Sequence, residues 1–219
     1  MAILYTGTNP KAYQSFGDMI HFPMIEITAA VLSNAQLKSL IDKLPEYSMI
    51  LLTSRFGVKY FFQLLNQQHY SMENLKKKQF IIIGKTTEEA LNIYGFSSTL
   101  TASIETSQGL FKEIQQQLDV KNKKILFPRS ALSNPYLREN LIKAGAHVEE
   151  FIVYQNTKPS KRALPDKIDT VMFTSPSTVK NFLHDYTNIP HAWRILSKGQ
   201  VTKDYLKKEG YSSAIPSIT

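Results

Sequence analysis

Apolar residues along the chain fall into two kinds of run. Short runs at 2–6, 48–52, 80–83, 123–127, 170–173 and 193–196 are too brief for helices. They read as strands, and the unbroken ones suit a sheet buried on both faces. Between them, apolar residues recur at helical spacing. Leu37, Leu40, Ile41 and Leu44 follow Ser33, with Pro45 as the stop; Val58, Phe61, Phe62 and Leu65 follow Ser54. Further helices are predicted from the Gly84 turn through Tyr94, from Thr106 or Ser107 to Leu118, over about 135–143, over 179–184, and up to Lys208. Gly95, Gly145 and Gly210 punctuate them. Asn9-Pro10 starts a brief helix that Gly17 ends, and 73–78 is a short polar helix or turn. Strands alternating with helices of this length predict an α/β fold built on parallel sheets.

Two stretches break the alternation. Residues 21–28, His-Phe-Pro-Met-Ile-Glu-Ile-Thr, and 149–157, Glu-Glu-Phe-Ile-Val-Tyr-Gln-Asn-Thr, read as extended, and Lys158-Pro159 ends the second. They are expected to be paired linkers between two similar lobes, with Tyr154 where a cleft would open. Pieces of the first half recur in order in the second, at a nearly constant offset. Thr53-Ser54 with Val58, Lys59 and Phe61 matches Thr174-Ser175 with Val179, Lys180 and Phe182. Gly84-x-x-Thr87, Leu91 and Gly95 match Gly199-x-x-Thr202, Leu206 and Gly210, and Ile3-Leu4-Tyr5 matches Ile125-Leu126-Phe127. The chain is therefore read as an internal duplication. The expected first lobe is discontinuous, 1–22 with 158–219; the second is 29–148; the linker strands are 23–28 and 149–157.

The repeated pieces carry the candidate chemistry. In each half a strand ends in Thr-Ser and a helix follows, and strand C-termini are where open α/β sheets bind ligands. Ser54 and Ser175 offer a hydroxyl beside free backbone N–H groups, an arrangement suited to a carboxylate or phosphate; each could equally be a helix cap and nothing more. The Gly84 and Gly199 turns place Thr87 and Thr202 near helix starts in the same way. They lack the second glycine and Lys-Ser/Thr pair of a Walker loop, so a nucleotide is disfavoured. Arg129, read as following a strand at 125–127, could hold a carboxylate through two hydrogen bonds or be a solvated surface group.

Composition narrows the ligand class. The chain has 219 residues, 42% hydrophobic and 11% aromatic, enough for a packed core. Its net charge of +8 favours an anionic partner. No aromatic–basic alternation supports nucleic acid. No run approaches the ~20 apolar residues of a membrane span, and no leader pattern opens the chain. Cysteine is absent, which fits a cytoplasmic location, and the five histidines show no ligand spacing, so no metal is expected.

The motifs resemble the uroporphyrinogen-III synthase family. The residues that carry the likeness are Thr53-Ser54 with Val58, Gly84-x-x-Thr87, Gln108-Gly109-Leu110, and Ile125–Phe127 with Leu137 and Leu141. Gly145-Ala146-x-Val148, Val153-Tyr154-x-x-Thr157, Phe173-Thr174-Ser175-Pro176-Ser177 and Gly199-x-x-Thr202 with Gly210 continue it over nearly the whole chain. The resemblance implies two α/β lobes on a two-strand linker. It also implies closure of hydroxymethylbilane to uroporphyrinogen III, with loss of water, inversion of the last pyrrole ring and no cofactor. Tyr154 would donate the proton to the leaving hydroxyl, and Ser54, Thr87, Ser175, Ser177 and Thr202 would bind substrate carboxylates. Arg129, facing the cleft, would serve affinity more than turnover. The protein is expected to act as a monomer, with the preceding pathway enzyme as a candidate protein partner. A non-catalytic relative that binds a polyanion is the alternative. The chain departs from the family pattern in four places: no arginine follows the first strand, Arg55 replaces a small residue or proline, one extra residue separates Tyr154 from Thr157, and the sequence stops at Ile218-Thr219 before the family's final helix.

Overall fold

A computed structural model describes residues 2–216; Ile218-Thr219 lie outside them. In chain order the elements are β1 (Ala2–Tyr5), β2 (Asp18–His21), β3 (Glu26–Ala29), α1 (Asn34–Lys43), β4 (Met49–Leu52), α2 (Arg55–Gln67), β5 (Gln79–Ile82), α3 (Lys85–Asn92) and β6 (Leu100–Thr101). They continue with α4 (Ser107–Gln117), β7 (Lys124–Ser130), α5 (Tyr136–Lys143), β8 (His147–Thr157), β9 (Ile168–Phe173), α6 (Pro176–Tyr186), β10 (Arg194–Ser197) and α7 (Gln200–Lys208). The chain divides into two compact α/β units. One comprises the residues up to Ile27 and those from Asn156 onward; the other is Thr28–Gln155. The chain crosses between them within β3 and within β8.

The larger unit is built on a sheet of order β3-β8-β7-β4-β5-β6, in which β8, β7, β4, β5 and β6 pair in parallel. Strand alternation sends successive side chains to opposite faces. Met49, Leu51, Ile81, Ile125 and Phe127 accordingly share one core with Leu110 and Ile114 of α4 and Leu137 and Leu141 of α5. An aromatic group centred on Phe62 of α2 packs with Phe80 of β5; its ring stacks on Tyr94 at 4.3 Å. Every residue of β4 is buried, as its unbroken apolar run predicts. At the start of α1, Ser33 and Gln36 form a reciprocal capping box.

The smaller unit carries a parallel sheet of order β10-β9-β1-β2. Leu4, Val171 and Phe173 pack with Val179 and Phe182 of α6 and Leu206 of α7 on one face; Ile3, Tyr5, Met172 and Leu196 pack with Tyr13 on the other. The duplication is visible in the caps. Ser54 opens α2 and Ser175 opens α6, each accepting a hydrogen bond from the N–H three residues on, while Gly84 and Gly199 occupy the cap positions of α3 and α7.

Three elements differ from the sequence reading. Residues 18–21 form an edge strand rather than a lead into a linker, because their backbone completes the ladder beside β1 although the side chains are only partly buried. The first linker is extended only at Glu26–Ala29; Phe22 and Met24 bond to Tyr5 and Thr6 and sit in the smaller unit's core. The two-residue strand β6 gives too short a pattern to register in sequence.

Where β8 ends, Lys158 pairs with Asp185 of α6, and His184 Nδ1 lies 2.9 Å from the same carboxylate oxygen. Lys158 first, and His184 after it, hold the buried Asp185 carboxyl below its ordinary value. A depressed carboxylate stabilises the fold above its unfolded pKa, and that contribution disappears as pH falls through the folded value. Asp185→Asn should therefore cost about 1 kcal/mol at neutral pH, since Lys158 stays partly solvated. The difference should shrink below about pH 4 in urea unfolding. An equal deficit at both pH values would mean the pair is not its source.

Candidate active site

At the end of β4 the chain turns through Thr53 and Ser54 into α2. Ser54 is extended, and its Oγ accepts the Gly57 N–H at 2.9 Å, the ordinary work of an N-cap. Gly57 lets this first helical turn lie close to β7. A Cβ at that position would sit 3.2 Å from the Pro128 carbonyl oxygen, a backbone atom with little room to yield.

Pairing of β7 with β8 brings up the second hydroxyl. Arg129 stands opposite Ile152, but Ser130 stands opposite Tyr154, so Val153 is an extra residue on β8. Such a bulge breaks the alternation of faces. Val153 and Tyr154 are consequently both buried, although they are consecutive. The Tyr154 ring rests against α2, stacked on Tyr60 at 6.0 Å and tilted against Phe56 at 6.1 Å. Those two aromatics are four residues apart on one helix face. The arrangement leaves Tyr154 Oη 2.8 Å from Ser54 Oγ, with either atom able to donate. Burial raises the Tyr154 pKa above its ordinary value; the Ser54 hydrogen bond and the Arg129 charge act the other way.

Arg129 does not occupy the place its sequence position suggested. The β7 ladder continues past Phe127 through Pro128 and Arg129 to Ser130, because β8 is long enough to pair with all of it. The side chain is 5% exposed. Its guanidinium pairs with Glu150, donates to the Ser133 carbonyl and lies over the Phe127 ring at 5.1 Å. Glu150 also faces Arg138 of α5, at 3.7 Å. Arg129 does hold a carboxylate, but that carboxylate belongs to its own chain.

The other residues singled out in sequence are more scattered. Thr87 and Thr202, in the first turns of α3 and α7, are buried rather than presented at the surface. The Lys85 N–H at the start of α3 already donates to Glu105 Oε1 at 2.8 Å. Ser175 caps α6 in a box with Thr178, and Ser177 is half-buried in the same turn. The structure thus joins Ser54 and Tyr154 directly, with Arg129 acting on Tyr154 through charge, while Ser175, Ser177 and Thr202 belong to the smaller unit.

Phe56, Tyr60, Glu150 and Arg138 were missed in the sequence. The aromatic pair at i, i+4 directly after Ser54 was the available signal for the first two; nothing local marks the ion pairs. A cleft of about 550 Å³ lies elsewhere, at the N-terminal ends of β4, β7 and β8, lined by Tyr47, His147 and the ion pairs Lys43–Glu149 and Lys124–Glu46. Among the described residues, no helix is long and apolar enough to cross a membrane. No cluster of three or more His, Asp or Glu residues suited to a metal occurs among them either.

Fold and site together define a duplicated α/β protein of two parallel-sheet units, with a buried tyrosine hydroxyl set on a helix-capping serine at the strand C-termini. Residues 8–218 match the family described as uroporphyrinogen-III synthase HemD, and the chain belongs to that family. It is 30% identical to a uroporphyrinogen-III synthase of Chlorobaculum parvum over 200 residues, covering 86% of this chain and 78% of the relative. It is 27% identical to the porphyrin biosynthesis protein HemD of Ruminiclostridium josui, covering 82% of this chain but 37% of that longer protein. The fold matches the solved uroporphyrinogen-III synthetase of Helicobacter pylori with a TM-score of 0.70 at 20% identity, over 98% of this chain and 91% of the other. A uroporphyrinogen III synthase mutant from Thermus thermophilus matches with a TM-score of 0.65 at 17% identity, over 97% and 90%.

The buried pair converts the expectation for Arg129 from affinity to stability. Arg129→Ala would leave Glu150 facing only the more distant Arg138. Removing one partner of a buried pair is strongly destabilising, and because Glu150 is partly exposed the loss should be about 3 kcal/mol. Denaturant unfolding measures it. Unchanged stability with a raised KM would return Arg129 to the role of a substrate contact.

Proposed function

We propose that this chain closes linear hydroxymethylbilane to uroporphyrinogen III, losing water and inverting the last pyrrole ring. It acts as a lyase of tetrapyrrole biosynthesis. The observation that carries the reading, within a member of this family, is the Tyr154 hydroxyl fixed 2.8 Å from the Ser54 hydroxyl at a strand C-terminus. Departure of the terminal hydroxyl as water requires one proton, and Tyr154 is the source of that proton in this reading. What remains is a reactive azafulvenium, which must close at the substituted carbon of the last ring. Spontaneous closure gives the uninverted I isomer, so much of the catalysis lies in holding the chain.

The substrate is a polycarboxylate, which suits a chain of net charge +8. Ser175 and Ser177 at the start of α6 are the side chains proposed to hold its carboxylates, with the backbone amides of the Thr202 turn; at the Thr87 turn the Lys85 and Thr87 N–H groups are already taken, by Glu105 Oε1 and the Gly84 carbonyl oxygen. Arg129 supports the site through the field it exerts on Tyr154 rather than by contact with substrate. The protein is proposed to work as a cytoplasmic monomer that receives its labile substrate from the preceding enzyme of the pathway.

Tyr154→Phe tests the reading in an assay that resolves uroporphyrinogen I from III. Loss of a positioned donor costs about 10²–10⁴-fold, and the half-buried Ser54 hydroxyl stays in place, so kcat should fall by about 10²-fold. The product should shift towards the I isomer as unconverted substrate closes on its own. A wild-type rate and isomer ratio would make Tyr154 structural.

A further inference from the structure

We infer that Ser54 is the group that hands the proton to the leaving hydroxyl, with Tyr154 behind it as the second member of a two-hydroxyl relay. The inference rests on the proposed reaction and assigns the proton transfer of its first step, departure of the hydroxyl. Three observations carry it. First, the Ser54 oxygen is fixed: one lone pair takes the Gly57 N–H at 2.9 Å, and Tyr154 Oη is 2.8 Å away. Second, a phenol is a stronger acid than an aliphatic alcohol, so within this pair Tyr154 donates and Ser54 accepts. A serine hydroxyl has one proton and two lone pairs. With both lone pairs engaged, by Gly57 and Tyr154, its proton is left pointing away from the pair. Third, Tyr154 is 8% exposed and wedged between its own strand and the Phe56–Tyr60 face of α2, whereas Ser54 is half-buried and so the more accessible of the two hydroxyls.

The Ser54 O–H bond breaks and its proton goes to the oxygen of the terminal hydroxymethyl group. The C–O bond breaks with its electron pair going to oxygen, and water leaves. At the same time the Tyr154 proton moves to Ser54 Oγ. The result is a neutral serine donating to a tyrosinate, and the substrate is left as the azafulvenium. Ring closure later releases one proton from carbon, which returns through Ser54 to Tyr154, so the enzyme ends as it began. Arg129 is buried within electrostatic reach of Tyr154, and its positive charge favours the transient tyrosinate. The capping bond from Gly57 persists throughout, so the backbone does not have to move.

Single-turnover rates and isomer ratios of Ser54→Ala, Ser54→Thr, Tyr154→Phe and the Ser54→Ala/Tyr154→Phe double variant test the relay, together with a proton inventory of the wild-type chain in mixed water and heavy water. Members of a relay act as one unit, so their losses do not add. Ser54→Ala should lose about 10²-fold in rate, close to Tyr154→Phe, and the double variant should lose no more. Ser54→Thr keeps both cap and hydroxyl and should stay within about threefold of wild type. The inventory should bow downward, as two protons moving in one step require. A straight inventory overturns the relay whether or not Ser54→Ala folds. So does a Ser54→Ala rate near wild type with a raised KM, which makes Ser54 a carboxylate contact and leaves Tyr154 as direct donor. A wild-type rate in Tyr154→Phe instead defeats the underlying assignment of the proton source.

Discussion

One constraint organises the larger unit: β7 and β8 pair in parallel with a single-residue slip after Arg129. Without the slip, alternation would set Val153 and Tyr154 on opposite faces of the sheet. With it, Tyr154 leans onto α2 and its hydroxyl meets the Ser54 hydroxyl. The same serine closes the first turn of α2, and Gly57 lets that turn approach the Pro128 carbonyl of β7. Helix cap, strand register and reactive hydroxyl are thus one assembly, and a change to any of them moves the others.

Ion pairing secures the assembly from behind. Arg129 and Tyr154 lie on either side of the slip, and Glu150 ties Arg129 to Arg138 of α5. A buried ion pair is weak evidence for net stability, since desolvation opposes its attraction. Its consequence here is a fixed positive charge within electrostatic reach of the Tyr154 phenol, opposing the effect of burial. The aromatic contacts to Phe56 and Tyr60 then leave the ring little freedom to turn its hydroxyl away.

Much of the fold could be read from the chain because it depends on local rules. The unbroken apolar runs at β4 and β5, the capping serines at α1, α2 and α6, and the glycines after α3, α5 and α7 each announce themselves within a few residues. What could not be read depends on partners far away in sequence. The strand status of residues 18–21 comes from the β1 ladder, and the extension of β7 to Ser130 comes from the length of β8. Arg129 shows the cost most clearly. Ending the strand at Phe127 placed the guanidinium at a surface, whereas three further ladder residues bury it against Glu150. Tyr154 and Ser54 could be nominated separately, but a 2.8 Å contact between residues one hundred positions apart requires the register slip, which no local pattern encodes.

The contact between the two hydroxyls can be measured in solution by following the ring carbon that bears the Tyr154 hydroxyl through a pH titration, in the wild-type chain labelled at tyrosine and in Ser54→Ala. Burial should place the wild-type transition above the ordinary tyrosine value of about 10. Because Ser54 favours the ionised phenol, its removal should move the transition higher still. An identical transition in both proteins would mean that the two hydroxyls are not in contact, and the account of the site would fail at its centre.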